Sequence, residues 1–130
     1  MFNLKHCLFT LLALLLLSST LLCISCTSDT KAIQDVATEF VTAYKNQQFS
    51  LCLDYMSNKL RESEGDQALI NKLQVARLFT GTSTIRSIGT PTITKTKATV
   101  WVDLVGPLNL TSSFELTLIK EDSRWKIYDY

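Results

Sequence analysis

Apolar residues are laid down along this chain in three successive regimes, and each regime predicts a different kind of structure. From Cys7 to Leu22 they are nearly continuous, broken only by Thr10 and by Ser18-Ser19-Thr20. From Ile33 to Phe79 they recur at helical spacing. Ile33, Val36, Ala37, Phe40, Val41 and Tyr44 form an i, i+3, i+4, i+7, i+8, i+11 stripe with Lys31, Asp35, Glu39 and Lys45 off it, which predicts an amphipathic helix from Lys31 to Lys45. Ser28, Asp29 or Thr30 is placed to cap it, and Asn46-Gln47-Gln48 ends it. A shorter second helix follows from Ser50 through Leu51, Cys52, Tyr55, Met56 and Leu60. Arg61 to Asp66 reads as a polar loop. Leu69, Ile70, Leu73, Ala76 and Phe79 then predict a third helix stopped by Gly81.

Beyond Thr82 the period changes from 3.6 to 2 and the composition to Thr, Val and Ile, the mark of strands. Four are expected, near Thr84 to Ile93, Ala98 to Val105, Leu110 to Lys120 and Arg124 to Tyr130. Gly89 and Pro91 interrupt the first, which suits an edge or bulged strand. Register follows from keeping apolar side chains on one face. Leu104 is set against Leu110, Val100 against Phe114 and Leu118 against Ile127, with Trp125 on the same face. The other face carries Thr99, Trp101, Asp103, Ser113, Glu115, Ile119, Tyr128 and Tyr130. The expected fold is α+β, with three helices packed on a curved four-stranded antiparallel sheet.

The first regime has the layout of an export signal: Lys5 before an apolar run, then small residues. Ile24-Ser25-Cys26 at its end resembles the lipobox of bacterial lipoproteins, although Cys23 stands where such motifs usually have Leu. The resemblance implies a signal peptide over residues 1–25, lipidation of Cys26, a short tether to residue 30 and a domain over 31–130. Ordinary cleavage is an alternative, and so is an uncleaved anchor, since an apolar stretch of about 20 residues can just span a bilayer. Thr27 after the cysteine, rather than Asp, implies passage to the periplasmic side of the outer membrane in a host that has one.

Loss of residues 1–25 leaves about 105 of the 130 residues, enough for one core and no second domain. The whole chain has 13 Lys and Arg against 12 Asp and Glu. Removing Lys5 levels the two signs, so neither a nucleic-acid footprint nor a polybasic membrane patch is expected. Of the four cysteines, Cys26 and Cys52 remain, and an acylated Cys26 cannot form a disulfide.

Three stretches carry a further resemblance: Phe40-Val41-Thr42-Ala43-Tyr44, Phe49-Ser50 with Tyr55-Met56-Ser57, and the run from Leu116 to Ile127 at the final hairpin. Together they are similar to the nuclear transport factor 2-like (cystatin-like) superfamily, and to its small bacterial lipoproteins of unknown function. Ser123 departs from the pattern, because such hairpins often have Gly there. The resemblance implies a cone between helices and sheet. Phe40, Tyr44, Tyr55, Phe114 and Trp125 are the candidates for lining it, core packing being their simpler role.

The superfamily's isomerase and cyclase enzymes place an acid or base in that cone. His6, the only histidine, leaves with residues 1–25, so imidazole metal ligation and Ser-His or Cys-His chemistry are not expected. Asp54, Asp103 and Glu115 are the carboxylates nearest apolar elements, and all three read more simply as solvated. Cys52 reads as a small buried hydrophobe. Asn109-Leu110-Thr111 is a chance glycosylation match. No catalytic residue, metal or cofactor is therefore expected. The leading expectation is an exported, membrane-anchored, non-catalytic domain that binds a small apolar ligand or a protein partner. The alternatives are an isomerase or cyclase with a pocket carboxylate and a structural accessory subunit. Trp101, Ile119 and Tyr128 mark a face for a homodimer or envelope partner.

Overall fold

A computed structural model describes residues 28–130. Cys26, Lys5 and the rest of the expected signal peptide lie outside the described residues. Among the described residues no helix is long and apolar enough to cross a membrane.

Helix α1 occupies 28–45, so Ser28, Asp29 and Thr30, expected as tether and cap, are themselves helical. Its buried stripe is Ile33, Ala37, Phe40, Val41 and Tyr44, as the spacing predicts. The expected second helix is two helices, α2 Phe49–Tyr55 and α3 Asn58–Glu64. The break is made by the sheet. Met56 turns extended and bridges Ile127, and the Ser57 amide donates to the Ile127 carbonyl at 2.7 Å. The buried Ser57 hydroxyl then accepts from the Leu60 amide, an N-cap that restarts the helix. Glu121 reaches across from the sheet and accepts from the amides of Asn58 and Lys59 at 2.8 and 3.3 Å. Residues 61–64 are thus helical rather than a loop. Gly65, at φ 86, turns the chain into α4 Asp66–Thr80. Helix α4 buries Leu69 and Leu73 but leaves Phe79 outside, correcting its expected place in the core.

The sheet is antiparallel and five-stranded: β1 Thr84–Ile88, β2 Thr92–Thr94, β3 Lys97–Val105, β4 Thr111–Glu121 and β5 Arg124–Asp129. The order is β1-β3-β4-β5, with β2 also pairing β3. The expected first strand is therefore two edge pieces, divided where Gly89 and Pro91 interrupt the ladder.

Val100 pairs Leu116 and Val102 pairs Phe114, two residues from the expected register. The cause is the five-residue β3–β4 connection, in which Pro107–Asn109 forms a 3-10 turn and the Gly106 amide donates to the Leu110 carbonyl. A shift of two leaves every side chain on its expected face. Leu118 pairs Ile127 as expected.

Two bulges alter the alternation. Arg86 is the extra residue in β1, so Ile85 and Ile88 both face inward. Tyr128 is the extra residue in β5, between pairs Leu118–Ile127 and Thr117–Asp129. Tyr130 is thereby turned from the outer to the inner face, contrary to plain alternation.

Ala98, Val100, Val102, Leu104, Leu116 and Leu118 form the sheet's half of the core against the helices. Among the described residues the buried apolar side chains run from Ile33 to Ile127, all within the compact unit Ala32–Tyr130, which thus has a hydrophobic core.

Candidate functional site

Between α1, α4 and the inner face of the sheet is a cavity of about 430 Å³, within the range of small-molecule sites. Its wall is built from helical repeats. Helix α1 contributes Phe40, Val41 and Tyr44, one and four residues apart. Helix α4 contributes Lys72, Leu73, Ala76 and Thr80 on the same spacing. The sheet adds Leu104, Ser112 and Phe114, and Tyr130 closes one side.

The wall is apolar with few polar atoms. The Tyr44 hydroxyl and Thr80 Oγ1 are 2.8 Å apart and hydrogen-bonded to each other, which leaves each oxygen further bonding capacity. Tyr44 stands edge-on to Phe49, with centroids 6.3 Å apart, so its ring is held from behind. Tyr130 packs on Phe40 at 5.8 Å. Burial, with Glu64 nearby, pushes the Tyr130 phenol up to about 12. Lys72, the charged residue of the wall, is paired with Glu64 from α3. Ser113 also borders the cavity, but its hydroxyl is committed to Asp103 at 2.6 Å.

Of the five residues expected to line a pocket, the structure brings Phe40, Tyr44 and Phe114 to this wall. Tyr55 and Trp125 lie elsewhere. Tyr55 is half-buried on α2, and Trp125 is buried in the core with Lys120 Nζ 5.3 Å from its ring centroid. Sequence reading missed Lys72, Ala76, Thr80, Ser112 and Tyr130. The 72, 76, 80 repeat was a usable signal, because it continues the stripe of Leu69 and Leu73. Tyr130 had none, since nothing in the sequence marks the bulge at Tyr128.

The three carboxylates considered for catalysis are away from this wall. Asp54 is exposed on α2, and Glu115 is exposed on the outer face opposite Trp101. Asp103 accepts from Ser113 on one side and from Ser87 at 2.7 Å on the other, across three adjacent strands. Those two hydroxyls, Ser113 foremost, hold its carboxyl below the usual range.

Cys52 is free and fully buried, its Sγ 3.9 Å from the Phe40 carbonyl oxygen, and burial pushes its thiol up to about 11. Among the described residues no three His, Cys, Asp or Glu side chains cluster as a metal site. Trp101 is 56% exposed on the outer face. Ile119 is half-buried there, whereas Tyr128, expected on the same face, is at the β5 bulge and packs against the core, with Lys59 Nζ of α3 5.3 Å from its ring centroid.

No protein-family profile and no curated protein matches the sequence. Among solved structures, a Campylobacter jejuni protein assigned as an NTF2-like transpeptidase is similar at 17% identity with a TM-score of 0.53, over 74% of this chain and 96% of that one. With its helices on one face of an antiparallel sheet and a cavity between them, the chain has the nuclear transport factor 2-like fold.

Proposed function

We propose that the protein is an exported lipoprotein, anchored through Cys26, whose domain is a non-catalytic module binding a small, mainly apolar molecule in the cavity between α1, α4 and the sheet. The observation that carries the reading is the composition of that wall. Phe40, Val41, Leu73, Ala76, Leu104 and Phe114 supply apolar contact, and the Tyr44–Thr80 pair offers a single hydrogen-bonding point for orientation. The fitting ligand is a small, mainly apolar molecule with one polar group.

Two observations favour binding over an enzymatic reading. A proton-transfer enzyme of this fold would want a carboxylate in the wall, and the wall's acidic groups are phenols. Acyl transfer, the class of the Campylobacter neighbour's assignment, would want an activated nucleophile. Cys52 is instead buried, with a thiol that resists ionisation. A protein partner or second copy on the outer face around Trp101 is the alternative occupant, and an accessory structural role would need neither.

The test is uptake of the dye N-phenyl-1-naphthylamine by the domain 28–130, with mass spectrometry of anything that co-purifies. Saturable fluorescence lost in Ala76→Phe supports the reading. Absence of uptake by the unaltered domain, or uptake indifferent to the substitution, overturns it. Anchoring is tested apart, in the native host: labelled palmitate should be incorporated, and Cys26→Ala should abolish the incorporation.

A further inference from the structure

The four most exposed large apolar side chains among the described residues lie in two segments at one end of the domain. Leu78 and Phe79, in the last turns of α4, are 81% and 85% exposed, and Leu108 and Leu110, in the β3–β4 connection, are 92% and 69% exposed. These two segments meet. Thr84, just after α4, pairs with Val105, just before the connection. Ser83 donates its hydroxyl to the Thr80 carbonyl at 2.6 Å, and a Cβ on Gly106 would stand 3.4 Å from that hydroxyl. Leu108 and Asn109 hold φ of 62° and 58°. A bulky side chain rarely accepts that conformation, and here it leaves Leu108 nearly free of protein contact.

Charge at this end is mainly positive. The segments 43–50, 75–86 and 104–114 contain Lys45, Arg77 and Arg86 and neither Asp nor Glu. Arg86 faces Asp103, which it helps to ionise. Arg77 donates to the Lys45 carbonyl at 3.4 Å, which sets its guanidinium at the C-terminal end of α1, the turn that carries Lys45. The patch also adjoins the cavity wall, since Phe79 precedes the lining residue Thr80 and Leu110 lies two positions before the lining residue Ser112.

We infer that this end of the domain docks on an anionic phospholipid surface, with Leu78, Phe79, Leu108 and Leu110 entering the headgroup boundary and Lys45 and Arg77 set against lipid phosphates. Projecting apolar side chains beside unopposed cations are what such a surface takes up. A second copy fits less well. A two-fold interface through this patch would bring Lys45 and Arg77 of both chains together with no carboxylate in the patch to pair with them. The inference rests neither on acylation of Cys26 nor on a ligand in the cavity.

The test is co-sedimentation of the domain 28–130 with vesicles of phosphatidylcholine alone or with about 30% phosphatidylglycerol, at about 0.1 M salt. Binding is expected to the anionic vesicles and to weaken as salt is raised. Lys45→Glu should weaken it, and Phe79→Asp with Leu108→Asp should weaken it roughly tenfold or more. Both altered side chains are exposed, so the melting transition should stay in place and show that the variants fold. In Leu108→Trp, the new indole's emission should move to the blue on anionic vesicles only.

A domain that stays in the supernatant with both vesicle types overturns the inference, as does binding that survives the double substitution. A patch-dependent dimer without vesicle binding also overturns it and assigns the patch to a second copy. Dye uptake by the cavity is read without vesicles, so either result can fail alone.

Discussion

The two ends of this domain handle the same problem in opposite ways. Where α2 passes into α3, the chain is interrupted and the sheet takes up three of the freed amides. Ile127 receives the Ser57 amide, Glu121 receives two amides of α3, and Trp125 is buried beneath Lys120. Where α4 passes into β1 and β3 into β4, apolar side chains stand in water and Leu108 sits in a left-handed turn. The lesson is a division of labour: the first end holds the fold, and the second, with the cavity beside it, is free to meet something else.

The largest effect that would break this contrast is Trp125→Ala, which should cost about 3–5 kcal/mol in denaturant unfolding, as a large-to-small core change does. Loss of the buried Ser57 cap in Ser57→Ala should follow at about 1–2 kcal/mol. At the other end, Leu108→Asp should move stability by less than about 0.5 kcal/mol, the scale of surface changes. Leu108→Gly should raise stability by about 1 kcal/mol, since glycine adopts φ near 60° without the steric cost that leucine meets. A destabilised Leu108→Gly would mean that this loop belongs to the structural half after all.

Alkaline titration sharpens the cavity side. Tyr130 ionises near 12 in the fold against an ordinary value of 10.0. Below pH 10 it is neutral folded and unfolded and contributes nothing, while Cys52, raised from 9.0 to about 11, already lowers stability from about pH 9 in the parent and in any Tyr130 variant. Between about 10 and 12 the unfolded chain loses its proton first, and stability should fall. Tyr130→Phe should flatten that fall, read as the melting temperature against pH. The smallest effect expected is on the outer sheet face, where Trp101→Glu should leave stability nearly unchanged. If a homodimer forms through that face, the substitution should abolish it in sedimentation velocity.

Much of the fold was legible because one periodicity governs each half of the domain. The α1 stripe, the stop at Gly81 and the pairing of Leu118 with Ile127 all follow from local pattern. What could not be read depends on distant partners. Leu51 to Leu60 has unbroken helical spacing, and only β5, some seventy residues on, makes Met56 extended. The β3–β4 register slipped by two because loop length is invisible in an alternating pattern. Asp122 and Ser123 both take positive φ, so the last turn is a tight primed one despite lacking glycine. In the cavity, the aromatic residues of regular elements were found. Lys72, Thr80 and Tyr130 were not, because polar residues on a helix look solvated until the opposing wall is known.

The bridge from Met56 to Ile127 also constrains the order in which the molecule can form. Helices of seven residues, which is the length of both α2 and α3, do not persist in isolation. Their shared corner is completed by β5, so a contact about seventy residues apart must close before that corner is secured. Such distant closure slows folding. A nascent chain halted before Arg124 would therefore lack more than β5, because it would also lose the Ile127 carbonyl that takes up the Ser57 amide at the α2–α3 corner.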